Sequence, residues 1–146
     1  MQEACQEDSR SAVIPLLLAH PDIDVNVKTS SGQTPLFWAC YWGYTSCVRE
    51  MLKDSRVKVN EPNNNGYTPL YHAASRGHLD IIRWWIASGR EMEIDKTDAI
   101  GVARKRGKTA VVTLLERFKS DVAKTRSEVR KELGITGQYH SFFSID

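Results

Sequence analysis

This sequence of 146 residues has only three cysteines, no long apolar segment and almost no excess of charge of either sign. Three cysteines are too few for a disulfide scaffold, and they predict reduced thiols inside the cell, in the cytoplasm or nucleus. The first ten residues, MQEACQEDSR, are acidic and lack the basic and apolar regions of a signal peptide. No apolar run approaches the roughly 20 residues that a membrane-spanning helix needs.

The charge balance gives no support for a nucleic-acid or membrane partner. Twenty basic and 18 acidic residues give a net charge of +2. A chain this close to neutral has no overall attraction to nucleic acids or to membrane surfaces, so neither is the expected partner. The hydrophobic content of 41% and the charged content of 26% are ordinary for a globular protein, and the length suits one domain.

One internal repeat gives the sequence its organisation. SGQTPLFWAC, at residues 31–40, recurs as NGYTPLYHAA at residues 65–74, so that one Thr-Pro-Leu triplet starts at Thr34 and the other at Thr68. Recurrence at a fixed spacing of about 20–50 residues indicates a solenoid or another repeat array. We therefore interpret the rest of the chain in steps of the distance from Thr34 to Thr68, which we call one repeat length.

Each repeat begins with signals for a helix–turn–helix unit. Thr34 and Thr68 are suited to cap a helix, and a proline in the first helical turn costs no hydrogen bond. Gly43 and Gly77 are placed to form the turn between two antiparallel helices. The segment IIRWWI, residues 81–86, has the paired apolar spacing of one buried helix face, which predicts the second helix of the unit.

The full pattern, G-x-T-P-L-x-x-A-[A/C]-x-x-G followed by a paired apolar helix and a D-V-N or V-x-V-N segment, resembles the ankyrin repeat. The resemblance covers the chain to about Phe118. It implies an all-α, ankyrin-type solenoid of helix–turn–helix units joined by hairpin loops. We predict about four units, the last one capping the array, followed by a C-terminal helix and tail; the ranges are 1–29, 30–63, 64–97 and 98–118, then 119–146.

The two ends of the array depart from the pattern. The first unit lacks the Thr-Pro-Leu start, which predicts a fragment or a clipped N-terminus in which residues 1–8 exchange amide protons fastest among the helical segments. In the fourth unit Glu116 stands where an apolar residue is expected, and Arg104, Lys105 and Arg106 add charge. Terminal solenoid units need a polar outer face, so we interpret this unit as the cap.

Two further elements are expected near the C-terminus. Asp98 stands where threonine caps the earlier first helices. Residues 120–133 predict an added helix that Ser120 caps and Gly134 ends. The tail, residues 134–146, has no period, and we expect it either to pack against the last unit or to extend away from it.

No set of residues predicts catalysis, metal binding or a cofactor. Cys5, Cys40 and Cys47 fall on or near apolar positions, where a buried thiol is inert. The four histidines share no metal-ligand spacing with one another or with the cysteines. A glycine-rich phosphate loop is also missing. We expect no enzymatic activity and no cofactor.

The resemblance implies that a partner contacts the hairpin tips and the first helices. Tyr41, Trp42 and Tyr67 are the strongest candidates because the repeat requires nothing apolar there; the alternative is that they only cover the neighbouring unit. Trp42 and Arg76 lie one repeat length apart, as do Gln33 and Tyr67, so we expect each pair to be neighbours in space. The predicted partner-binding residues are Ser31, Gln33, Trp38, Tyr41, Trp42, Asn64, Asn65, Tyr67, His72, Ser75, Arg76, Lys105 and Arg106.

Three other features allow two interpretations each. Phe37 and Tyr71 replace the histidine usual after Thr-Pro-Leu in the family, and aromatic packing between units is expected in its place. Trp84 lies beside a buried face already filled by Ile81, Ile82, Trp85 and Ile86, so it is either a partly covered side chain or a patch for self-association. The run RKRGK, residues 104–108, either meets an acidic or phosphate-bearing partner or forms the solvated face of the capping helix.

Together these observations predict a non-enzymatic module that binds a partner protein through its concave and hairpin surfaces. The alternatives are an architectural spacer or targeting domain within a larger protein, or a basic-patch binder of phosphate or nucleic acid. We expect a monomer, with self-association through Trp84 as the alternative. Leu70, Ile82 and Leu115 are the predicted core residues.

Overall fold

The computed structural model describes residues 14–135, with side chains from Leu17 onward. Within this range the chain forms nine α-helices and no β-strand, which confirms the predicted all-α class. The expectations for residues 1–8, for Cys5 and for the tail beyond residue 135 lie outside the described residues. The helices are α1 (Ile14–Ala19), α2 (Pro35–Trp42), α3 (Thr45–Leu52), α4 (Pro69–Arg76), α5 (Leu79–Ser88), α6 (Ile94–Thr97), α7 (Ala99–Lys105), α8 (Thr109–Ser120) and α9 (Val122–Glu132).

The first helices of the two clear repeats start as the sequence predicts. The hydroxyl oxygen of Thr34 accepts a hydrogen bond from the amide of Phe37 at 3.1 Å, and that of Thr68 accepts from the amide of Tyr71 at 3.2 Å. In both helices proline occupies the first turn. α2 ends at Gly43, whose φ of 79° lies in the left-handed region that glycine adopts without strain.

The helices form two layers that run along the array. The first helices α2, α4 and α7 pack side by side, and so do the second helices α1, α3, α5 and α8. Leu70, Ile82 and Leu115 are each fully buried between these layers, which confirms their prediction as core residues. Because every inner unit packs against two neighbours, a core side chain stabilises both the unit that carries it and its interfaces.

Hairpin-like loops connect the units. The main-chain amides of Thr29 and Asn63 donate hydrogen bonds to the carbonyl oxygens of Gln33 and Tyr67, at 3.0 and 2.8 Å. The loop after α5 is different because it contains α6, an additional short helix that the sequence did not predict. Its last residue, Thr97, donates a side-chain hydrogen bond to the carbonyl oxygen of Glu93 at 2.8 Å.

Near the C-terminus one predicted cap occupies its position without the capping hydrogen bond, and the other is wrong. Asp98 precedes α7, but it has a left-handed φ of 51° and its side chain makes no capping hydrogen bond to that helix. Ser120 is the last residue of α8, and Asp121 caps α9 instead by accepting from the amide of Lys124 at 3.1 Å. The added helix itself is present over nearly the predicted length.

Arginine side chains join the second helices α1 and α3 to the following unit. Arg90 donates hydrogen bonds to the carbonyl oxygens of Leu52, Asp54 and Val57, the first two at 3.2 and 3.0 Å. Arg56, one repeat length earlier, donates to the carbonyl oxygen of Leu18. These carbonyl groups lie at or just beyond the C-terminal ends of α1 and α3, where backbone acceptors have no partner within the helix.

The same role passes to α9 at the end of the array. The Nε atoms of Arg126 and Arg130 donate to the carbonyl oxygens of Ile86 and Ala87, at 2.8 and 2.9 Å. Ile86 follows Leu52 by one repeat length, so it is the equivalent acceptor in α5. α9 packs against both α5 and α8 and thereby supplies the guanidinium groups that a hairpin loop supplies in the earlier units.

Between residues 14 and 135, none of the helices has the length and apolar composition needed to cross a bilayer.

Candidate partner-binding surface

Equivalent positions on the first helices stack from one unit to the next. We call this face the first-helix surface. Its composition changes along the array. The second unit contributes aromatic rings, the third an imidazole, a hydroxyl and a guanidinium group, and the fourth two cations. Its residues are Trp38, Tyr41 and Trp42 on α2, His72, Ser75 and Arg76 on α4, and Lys105 and Arg106 at the end of α7.

The aromatic residues of α2 form a preorganised cluster. The ring centroids of Tyr41 and Trp42 are 5.0 Å apart, and those of Trp38 and Tyr41 are 5.5 Å apart. Trp38 and Trp42 are stacked at 6.5 Å with an interplanar angle of 13°. Trp42 nevertheless keeps 53% of its surface exposed. A large ring that is held in place and still open to solvent is suited to anchor a partner.

Arg76 links this cluster to the third unit. Its guanidinium carbon lies 4.1 Å from the ring centroid of Tyr41 and 5.7 Å from that of Trp42. The structure therefore places Arg76 beside Trp42, as their separation by one repeat length predicts. Cation–π contacts of this kind hold the arginine at a defined position while part of it stays exposed.

His72 lies at the centre of the aromatic contacts between units. Its ring centroid is 4.8 Å from that of Phe37, 5.1 Å from Tyr41 and 5.7 Å from Tyr67. Phe37 is buried, so aromatic packing occupies the place of the family's usual histidine, as expected. Burial, and to a smaller extent the positive charge of Arg76, lower the pKa of His72 below its ordinary value of 6.5.

We expect acidification from pH 7.5 to 5.5 to destabilise the protein through His72. Because the folded state lowers the pKa of His72, the unfolded chain binds more protons once the pH falls below about 6.5, and stability is lost in that window. Urea unfolding midpoints at both pH values should therefore fall less for His72→Gln than for the wild type. An identical shift in both proteins contradicts the prediction.

Asp54 and Glu61 change the stability only at lower pH, so they do not interfere with this measurement. Hydrogen bonds from Arg56 and Lys28 lower the pKa values of Asp54 and Glu61 below their ordinary 3.8 and 4.5. Their stabilising contributions are fully present above those ordinary values and are lost as the pH falls through the lowered ones.

The predicted hairpin residues divide into two groups. The side-chain amide of Asn64 donates to the carbonyl oxygen of Ser30 at 2.9 Å, and its main-chain amide donates to Ser31 at 3.0 Å. Asn64 also lies so close to Gly32, whose φ is 83°, that a β-carbon there would be 2.6 Å from its side-chain oxygen. Asn64 therefore ties two hairpins together, and this role competes with partner binding.

Gln33 is likewise engaged within its own loop, because its side-chain oxygen accepts a hydrogen bond from the Thr29 hydroxyl at 2.6 Å. Asn65 is exposed. Tyr67 is 42% exposed, and its ring lies 4.7 Å from that of Tyr71. Tyr67 thus extends the first-helix surface toward the hairpins, while Ser31 and Gln33 lie at the neighbouring tip.

A basic groove opens between the third and fourth units. It has a volume of about 450 Å³ and is lined by Ser75, Arg76, His78, Arg106 and Lys108. The Lys108 side chain lies against Gly77, where a β-carbon would come within 2.8 Å of it. His78 makes the equivalent approach to Gly43, and its Nε2 is 3.2 Å from the carbonyl oxygen of Tyr41.

Sequence reasoning did not identify His78 and Lys108 as groove residues. The available signal was their position, because each directly follows the glycine that ends a first helix, at Gly77 and Gly107. Arg104, in contrast, points to a different neighbour, since it pairs with Glu116. The run at 104–108 is therefore divided between the solvated capping face and the groove.

Trp84 lies away from this surface, on α5. It is partly buried against the core, and the guanidinium carbon of Arg49 is 5.3 Å from its ring centroid. This agrees with the interpretation of a partly covered side chain. Self-association through Trp84 stays a prediction.

Neither described cysteine is suited to act as a nucleophile. Burial raises the pKa of Cys40 far above its ordinary value, so this side chain is a thiol rather than a nucleophilic thiolate. Cys47 is also fully buried. Across residues 14–135, no group of three or more His, Cys, Asp and Glu side chains is placed to hold a metal ion.

Comparison with known proteins finds one family and a small set of relatives. Residues 1–98, about two-thirds of the chain, match the family model for ankyrin repeats in three copies. SMC5-SMC6 complex localization factor protein 1 from Bos taurus and from Homo sapiens is 45% identical over 53 residues, which is 36% of this chain and 5% of each relative. The protein of the same name from Mus musculus is 53% identical over 38 residues, 26% of this chain and 4% of the relative. The match therefore spans only about 5% of the length of these relatives.

Proposed function

Because this chain belongs to the ankyrin repeat family, whose members are generally protein–protein interaction modules, we propose that it binds a partner protein on the first-helix surface. The observation that carries the proposal is the exposure of Trp42 within an ordered aromatic cluster. Interface hot spots are enriched in tryptophan, tyrosine and arginine, and Trp42, Tyr41 and Arg76 stand in mutual contact. The fold alone does not identify a partner, so the proposal depends on these side chains.

The proposed role is non-enzymatic and requires no cofactor. The family is typically non-enzymatic, and the buried thiol of Cys40 is inert at neutral pH. That reduced thiol also supports our proposal of an intracellular location, in the nucleus or the cytoplasm. We propose that the protein acts as a monomer.

A targeting role within a longer protein is the second candidate. It is supported by the relatives, which are named for the localization of the SMC5-SMC6 complex and are about twenty times longer than the segment they share with this chain. An architectural spacer has less support, because a spacer gives no reason for Trp42 and Tyr67 to remain exposed.

We expect Trp42→Ala and Tyr67→Ala each to weaken partner binding by more than about 1 kcal/mol. Both side chains are substantially exposed, at 53% and 42%, so the melting temperature should change little. Val122→Ala on α9 is the control, because it shortens an apolar side chain that is 43% exposed and lies outside the first-helix surface.

The measurement is affinity capture from a cell extract, with quantitative mass spectrometry, using the wild type, the Trp42→Ala/Tyr67→Ala variant and the Val122→Ala control as baits. Proteins that bind the surface should be retained by the wild type and the control and lost from the double variant. Equal retention by all three baits assigns binding to another surface. Lost stability with unchanged affinity of the folded fraction assigns Trp42 and Tyr67 to packing.

A further inference from the structure

We propose that the partner segment is an acidic peptide in which one apolar side chain is followed or preceded by spaced carboxylates. The inference rests on the proposed function, because it assigns a chemistry to the partner that occupies the first-helix surface. The apolar residue contacts Trp42, and the carboxylates lie over Arg76 and in the basic groove.

The gradient along the first helices is the first support. The position of Trp42 in the second unit is occupied by Arg76 in the third and Arg106 in the fourth, and the position of Tyr41 becomes Ser75 and then Lys105. An extended segment that crosses the three units therefore meets an apolar anchor site at one end and cations at the other.

The second support is that the groove collects cations without a carboxylate among its lining residues. The groove is lined by three cationic side chains, Arg76, Arg106 and Lys108. Among the residues that the structure describes, no acidic side chain lines it. The ion pairs of Arg104 with Glu116 and of Lys119 with Asp95 lie outside it. Cations that are collected in one concave site raise the local concentration of an anionic ligand and favour carboxylates over neutral groups.

A peptide fits these observations better than a nucleic acid. Nucleic-acid binding depends mainly on neutralising many phosphates over a wide basic surface. Here the net charge is only +2, and the cations of the groove are few. The aromatic rings are also partly closed to stacking bases, because Arg76 lies over the face of Tyr41 and Trp38 stacks on Trp42.

The distance between neighbouring units determines how far apart the carboxylates lie along the peptide. Neighbouring packed helices lie about 8–10 Å apart. An extended chain advances about 3.3 Å per residue. One unit therefore corresponds to about three peptide residues, so the carboxylates that face Arg76 and Arg106 should lie about three and six residues from the apolar anchor.

The experiment is selection of a random twelve-residue peptide display library on the folded chain. Recovered sequences are expected to be enriched in Asp and Glu over Lys and Arg, with an aliphatic or aromatic residue at about the predicted spacing. Recovery of neutral or basic sequences, or no enrichment, overturns the inference. If such sequences still require Trp42 and Tyr67, the acidic chemistry is wrong while the proposed function stands; if they do not, both fail.

The leading peptide is then labelled and measured by fluorescence anisotropy against charge-reversed proteins. Arg76→Glu/Arg106→Glu should weaken its binding at least about tenfold, since two attractive contacts become repulsive. Lys124→Glu/Lys131→Glu, which changes the same number of exposed charges on α9, should have less than about a twofold effect. Equal binding to all three proteins overturns the assignment.

Two controls complete this test. Arg76→Gln/Arg106→Gln gives the same ranking without added negative charge, so a folding defect of the glutamate variant, visible in its melting curve, does not decide the result. A labelled single-stranded DNA of twelve nucleotides is the competing probe. If it binds more tightly than the leading peptide and loses affinity in the same variants, the groove binds nucleic acid and the peptide inference is wrong.

Discussion

Leu70→Ala is expected to lower the free energy of unfolding by about 2–5 kcal/mol. Leu70 is fully buried near the start of α4, the first helix of the third unit. α4 packs against α2 on one side and α7 on the other, so the cavity left by the shorter side chain weakens two interfaces between units. Because domains of this size are stable by only about 5–15 kcal/mol, such a loss removes a large fraction of the stability of the array.

Urea unfolding followed by circular dichroism measures this effect. Val122→Ala is the matched control, since it also shortens an aliphatic side chain but at a position that is 43% exposed. It should change the free energy of unfolding by less than about 0.5 kcal/mol. An unfolding curve for Leu70→Ala that coincides with the wild type would show that the repeat alignment is wrong.

Arg90→Met is expected to cost about 3 kcal/mol, which makes it the second large effect. The guanidinium group of Arg90 is half-buried and donates to the carbonyl oxygens of Leu52, Asp54 and Val57. Methionine keeps much of the apolar stem but removes all three hydrogen bonds, although the carbonyl oxygen of Asp54 still accepts from the amide of Val57 at 3.1 Å. A hydrogen bond to a charged group contributes about 1.5–3 kcal/mol, and a buried acceptor that loses its partner carries a desolvation cost of about 1–3 kcal/mol.

Two variants separate hydrogen bonding from charge at this site. Arg90→Lys keeps the positive charge but not the forked geometry, so it should recover only part of the lost stability. Arg104→Ala removes a guanidinium from an exposed ion pair and should cost no more than about 1 kcal/mol. If Arg90→Met and Arg104→Ala have the same unfolding midpoint, the carbonyl contacts of Arg90 contribute no special stability.

The sequence was most informative where the pattern occurs twice. Thr34 and Thr68 cap α2 and α4 as predicted, because each capping bond is made within four residues and depends on local geometry. Ser120 and Asp121 could not be separated in this way. Both residue types cap helices, and the choice depends on where α8 ends, which is fixed partly by the Thr125 hydroxyl donating to the carbonyl oxygen of Arg117 at 3.0 Å.

Only part of the candidate site could be predicted from the sequence. The neighbourhood of Trp42 and Arg76 follows from the repeat length alone. The groove does not, because its lining includes His78 and Lys108, whose side chains lie against the glycines of the preceding units. The arginine contacts were visible in principle, since Arg56 and Arg90 are separated by one repeat, but the carbonyl acceptors of the main chain leave no mark in a sequence.

The arginine contacts determine where further repeat units can be inserted into the array. A copy of residues 30–63 inserted after residue 63 brings its own equivalent of Arg56 and its own equivalent of the Leu52 carbonyl, so every donor keeps an acceptor one unit away. Insertion between α8 and α9 differs, because it moves Arg126 and Arg130 away from Ile86 and Ala87. The array can therefore be lengthened by internal duplication, whereas α9 has to remain adjacent to α5 and α8 as a fixed terminus.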